Sequence, residues 1–102
     1  MAAQAQGGAM QPEPYKTTPV FDEKTLPEAI RNAHNTKAGV WGLLVVLDGA
    51  VNLVFHDPQR IVHVTPGNPA PIAPQAVHHV ELDGPVQMQV SFYREHPSGK
   101  AG

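Results

Sequence analysis

The chain has no cysteine. Disulfides and thiolate-held metals are therefore excluded, and any metal would need His, Asp, Glu or carbonyl oxygen ligands. No apolar run approaches the roughly 18 residues of a membrane span, so no membrane partner is expected. A basic excess is also missing. Lys and Arg number 7 against 9 Asp and Glu, giving a net charge of −2, which argues against a general nucleic-acid binder. The N-terminal Met-Ala-Ala-Gln-Ala-Gln-Gly-Gly lacks the basic and apolar regions of a secretory signal, and a cytoplasmic protein is the expectation. There is no Gly-x-Ser-x-Gly elbow, no phosphate-binding glycine loop and no dinucleotide fingerprint. No catalytic residue is assigned on this basis.

What is present suits one small all-β domain. The 102 residues are enough for a single core. Eleven prolines beside 9 glycines point to short strands joined by rigid corners. Residues 1–13 are small, polar and aperiodic and read as a flexible tail, residues 14–94 as the domain, and residues 95–102 as a second tail. The one helix candidate runs from Leu26 to Ala33, with Thr25 as cap and Pro27 and Glu28 in the first turn. Leu26, Ala29, Ile30 and Ala33 share one face at i, i+3, i+4, i+7 spacing.

The strongest strand signal is Val40 to Leu47, apolar on both faces. Val40, Leu44 and Val46 would fill a core. Trp41, Leu43, Val45 and Leu47 would then need a second layer or a second subunit, and a homodimer through Trp41 is expected. Asp48-Gly49 reads as a two-residue hairpin turn into Ala50–His56. Further strands are expected at Ile61–Thr65, Ala70–Ala73, His78–Leu82 and Val86–Arg94, with turns at Asp57-Pro58, Pro66-Gly67 and Asp83-Gly84-Pro85. In the last strand Val86, Met88, Val90 and Phe92 alternate inward against Gln87, Gln89, Ser91 and Tyr93.

Several of these segments resemble a known family. Ile72-Ala73-Pro74-Gln75-Ala76-Val77-His78-His79-Val80 looks like the second cupin motif, a proline corner followed by a histidine entering a strand. Ala38-Gly39-Val40-Trp41-Gly42 and Leu47-Asp48-Gly49 look like remains of the first. With Tyr15–Phe21, Leu26–Ile30, His34–Gly42 and Val90–Arg94, the pattern resembles the TehB/YeaR-like cupin domain over residues 14–94. That family includes stand-alone proteins and the N-terminal part of some tellurite-resistance methyltransferases. The resemblance implies a double-stranded β-helix, a small barrel or jelly roll with one short N-terminal helix, often dimeric. It does not carry tellurite methylation over to this stretch, which matches the cupin part and not the methyltransferase part.

The resemblance also implies a possible divalent metal such as zinc, iron or nickel in the barrel mouth. Onto the motifs it carries His34 and His78 as ligands, while Thr36 and Gly42 stand where a further histidine and a glutamate would be. His79 and Glu81 are the nearest spare donors to His78, and Glu81 is taken as the third candidate metal ligand. Strand alternation puts His78 and Val80 on one face and His79 and Glu81 on the other, so Glu81 would join through a bulge or twist at the strand start. Lys37 is a candidate anion partner. Trp41, Met88 and Phe92 are candidate pocket or interface residues. His56 and His63 are expected in solvent, and His96 in the tail. The expected function is binding of a metal, a small molecule or an oxyanion, linked to tellurite, oxyanion or metal stress. Two alternatives stand beside it, a metal-dependent cupin enzyme acting on a small molecule and a metal-free dimeric ligand-binding module.

Overall fold

A computed structural model describes residues 12–98. The elements in chain order are β1 (Lys16–Thr17), β2 (Phe21–Asp22), α1 (Glu28–Arg31), β3 (Trp41–His56), β4 (Gln59–Val64), β5 (Ala70–Ile72) and β6 (His78–Tyr93). The all-β class expected from the sequence is the class observed, a single antiparallel sheet of 6 strands.

Its backbone is a ribbon made by β3 and β6, each 16 residues long. They pair antiparallel from Trp41↔Tyr93 to Phe55↔His78. Midway the register slips. Val46 faces Met88 and Asp48 faces Gln87, so Leu47 has no partner; Gly49 faces Val86 and Val51 faces Leu82, so Ala50 stands against Asp83, Gly84 and Pro85. Bulges of this kind bend a paired ribbon. Gly49 has φ +82, and a Cβ on it would collide with the Pro85 carbonyl oxygen. Only glycine allows that approach. The hairpin expected at Asp48-Gly49 is therefore corrected: the segment lies inside β3, opposite Asp83-Gly84-Pro85, and both turn signals serve the bend. Chain reversal comes later, at Asp57-Pro58, where His56 pairs with Gln59 and β4 begins.

Beyond the bend the ribbon is flanked differently. Its first half carries β5 beside β3, with Gly42↔Ile72 and Leu44↔Ala70, and β1 and β2 beside β6. The second half carries β4 beside β3. Side chains from both halves meet in one core, including Leu44, Val46, Met88 and Val90 from the first and Val51, Leu53 and Val80 from the second. Strand alternation explains the set, because every second residue points inward.

The helix is shorter than its apolar spacing predicts. It makes one turn, Glu28–Arg31, with no side-chain cap. Thr25 is used elsewhere, since its N–H and that of Lys24 donate to Asp22 Oδ1 at 2.9 and 2.8 Å. Leu26 is buried and Ile30 half-buried, while Ala29 and Ala33 are exposed. On β6, Ser91 and Tyr93 are buried rather than outward, and the Ser91 hydroxyl lies 2.9 Å from that of Thr17 on β1. His96 packs its ring 4.5 Å from Trp41, so the chain up to Ser98 stays on the domain. The remainder of the two expected tails, residues 1–11 and 99–102, lies outside the described residues. Among the described residues no helix is long and apolar enough to cross a membrane.

Candidate ligand-binding site

The segment after α1 returns to the ribbon at a single point. His34 N–H donates to the His78 carbonyl at 3.0 Å, and His78 N–H donates back to the His34 carbonyl at 2.9 Å. This reciprocal pair places the two side chains together, with ring centroids 4.3 Å apart and planes tilted by 55°. Each ring is fixed by its own backbone. His34 Nδ1 lies 3.0 Å from the Asn32 carbonyl oxygen, and His78 Nδ1 lies 2.7 Å from that of Ala76. A carbonyl only accepts, so in the neutral imidazole the proton sits on Nδ1 and Nε2 keeps its lone pair. Among the described residues neither Nε2 has a hydrogen-bond partner.

His78 is only 3% exposed. Burial is the main cause that holds its pKa below the usual 6.5, and His34, His56 and His79 add to it, against the hydrogen bond to Ala76. The neutral acceptor form is thus the resting form of His78 at neutral pH.

Both rings border a chamber of about 50 Å³ whose other walls are apolar, among them Leu44, Ile72, Val80 and Val90. Gly42 and Thr36 also line it. An open vestibule of about 390 Å³ lies above, bordered by Tyr15, Lys16, Asn35 and Lys37. His34, Thr36 and Phe92 belong to both and form the neck. Thr36 staples this rim, because its hydroxyl accepts from Gln75 N–H at 3.1 Å and donates to the Ala73 carbonyl at 3.4 Å. Gln75 holds the left-handed φ of +63 at that contact.

Of the residues singled out from sequence, His34 and His78 are brought together, with Lys37 and Phe92 beside them. Glu81 is not. It points to the opposite face of β6, where its carboxylate accepts from His79 Nε2 at 2.9 Å. His79 Nδ1 in turn lies 2.7 Å from His56 Nε2. This outer chain of His56, His79 and Glu81 was not expected as a unit; period-2 alternation puts His79 and Glu81 on one face, but only the β3–β6 register brings His56 to them. His56 and His63 are exposed, and His63 Nδ1 lies 2.9 Å from Asn52 Oδ1. Met88 is fully buried in the core, and Trp41 sits half-buried in a groove with Phe55 and Pro71.

The chain is similar to probable S-adenosyl-L-methionine-dependent methyltransferases named TehB from two strains of Haemophilus influenzae, strain 10810 and strain KW20. Each is 36% identical over 85 residues, covering 78% of this chain and 30% of the relative. The chain thus spans about a third of the curated relatives it matches. The crystal structure of TehB from Haemophilus influenzae superposes with a TM-score of 0.72 at 31% identity, over 81% of this chain and 31% of that one. A protein from E. coli strain K12 shares the fold, with a TM-score of 0.74 at 22% identity, over 81% of this chain and 90% of that one.

These findings correct the expected metal. The relatives are named for S-adenosyl-L-methionine and not for a divalent ion. Among the described residues no group of three or more His, Asp or Glu side chains is arranged to hold a metal ion. The row His56, His79 and Glu81 is joined by hydrogen bonds between its own rings and carboxylate. S-adenosyl-L-methionine itself does not fit here either. A nucleoside-sized ligand needs a pocket of roughly 300 Å³ or more, far above the chamber's 50 Å³. The vestibule is large enough but offers Lys16 and Lys37 and no carboxylate to a cationic sulfonium or to ribose hydroxyls. A family model for the TehB-like domain matches residues 16–90, and the chain belongs to that family.

Proposed function

We propose that the domain is a small cupin-type binding module, located in the cytoplasm, that takes a compact small molecule or oxyanion without a metal. The chamber carries this reading. It is a cavity of about 50 Å³ in which two imidazoles meet apolar walls, beneath a vestibule that contributes two lysines. Pockets for small ligands commonly combine mostly apolar walls with a few convergent polar groups. An anionic end of the ligand would rest near Lys16 and Lys37, and a body of a few heavy atoms would enter between His34 and His78. A link to tellurite or oxyanion stress would follow if such an anion proves to be the ligand. In relatives of greater length the same module would deliver recognition beside the S-adenosyl-L-methionine chemistry for which they are named. A second copy of the chain is the partner proposed for the outward face of β3, where Leu47 is 47% exposed and Trp41, Leu43 and Val45 are half-buried.

Binding is tested by titrating labelled protein with small amides, alcohols, carboxylates and tellurite, while following the signals of His34 and His78. Gly42→Ala serves as the chamber-narrowed control, since a Cβ at Gly42 meets Ile72 at an ordinary 3.5 Å. The expected result is saturable shifts at both histidines in the native protein and an affinity weaker by about threefold or more in Gly42→Ala. No shifts from any compound, or equal binding by the variant, would overturn the reading.

A further inference from the structure

Trp41, Leu43, Val45 and Leu47 share the outward face of β3 by strand alternation, yet that face is not equally open along its length. After β6 the chain turns back across the Trp41 end. His96 lays its ring against that of Trp41, with centroids 4.5 Å apart and planes tilted by 56°. His96 and Pro97 are half-buried although they follow the last strand. With Ser98 they also line a cleft of about 250 Å³ whose other walls include Leu43 and Pro71. The imidazole is oriented by its own turn. Ser98 N–H donates to His96 Nδ1 at 3.1 Å, and the Ser98 hydroxyl lies 2.7 Å from the same nitrogen. A backbone N–H only donates, so Nδ1 keeps its lone pair and the neutral ring carries its proton on Nε2. At the far end of the face Leu47 is 47% exposed.

We infer that His96-Pro97-Ser98 is a strap that shuts the Trp41–Leu43 end of this face against a second copy of the chain, so that strap and copy compete for one apolar strand. This rests on the proposal that a second copy covers β3 and adds what limits its docking. Tryptophan is among the residues that contribute most when buried at the centre of an interface. With the strap in place that ring is engaged by His96, and Val45 and Leu47 are left for the partner. Lifting the strap adds the largest apolar side chain of the face to the contact. One ring pair and a proline hold the strap down, a contact small enough for a partner to displace.

His96→Ala removes the cover and leaves the core cluster untouched. Trp41 is the chain's one tryptophan, so its emission reports on the strap directly. At a dilution where the chain is monomeric, the emission of the variant should move to the red and acrylamide should quench it more strongly than in the native protein. Sedimentation across a concentration series should show self-association tightened by about fivefold or more in the variant. Unchanged Trp41 emission and quenching would overturn the strap. Greater exposure of Trp41 with equal or weaker association would overturn the competition and leave the second-copy proposal standing. Native protein and variant that both stay monomeric at every concentration would overturn the two together. His96→Phe keeps a ring over Trp41 and is expected to stay near the native protein on both readouts; values like those of His96→Ala would count against a covering ring.

Discussion

His78 is the residue on which the site depends, and its burial has a consequence for the whole chain's stability. The folded protein holds its pKa below 6.5, mainly by desolvation. As pH falls, the unfolded chain takes up that proton first, so folding is progressively disfavoured. Stability from this group is complete above about pH 6.5 and declines as pH drops towards the folded-state value. Denaturant unfolding followed from about pH 7.5 to 5 should show this decline, and His78→Gln should flatten it. A variant with the same slope as the native protein would contradict a buried, neutral His78. At this scale the sequence was informative about His78, because a proline corner followed by a histidine at a strand start is a local pattern. It was silent on the tautomer, which depends on where the Asn32 and Ala76 carbonyls point.

At the scale of elements the β3–β6 ribbon decides the architecture. Alternation in Val86, Met88 and Val90 was readable and correct, since each is buried. Asp48-Gly49 was misread because a left-handed glycine suits a chain reversal and a bend equally well. What distinguishes them is the strand lying opposite, here Asp83 to Pro85, and that pairing is not a local property. The helix was overestimated for a similar reason. Apolar spacing from Leu26 to Ala33 matched a helical face, yet Asp22 captured Thr25 and the chain left the helix to reach His78. Gly49→Ala tests the bend directly. A Cβ at φ +82 facing the Pro85 carbonyl should cost more than about 1 kcal/mol of unfolding free energy. A change within about 0.5 kcal/mol would mean that the ribbon does not need the close approach.

The whole molecule presents two kinds of surface. Around the mouth lie the chamber, the neck at Thr36 and the lysines of the vestibule. On the outward side of β3, Leu47 sits unpaired at the bulge and is 47% exposed. If a second copy covers that side, sedimentation of the native protein should give a dimer and Leu47→Glu a folded monomer. A native protein that already sediments as a monomer ends the proposal. The family and the all-β class were legible in the residues, because they rest on long runs of alternating strands and corners. The metal expectation failed at the level of the whole fold. Strand parity sends Glu81 to the outer face with His79, and only two imidazoles remain at the chamber.

The most direct test of that site is a long-range proton–nitrogen NMR spectrum of the His34 and His78 side chains at about pH 8. Both rings should show a protonated Nδ1 and an unprotonated Nε2, because each Nδ1 lies against a carbonyl oxygen that can only accept. A proton on Nε2 in either ring would contradict a pair of imidazoles tied through Nδ1 to the Asn32 and Ala76 carbonyls.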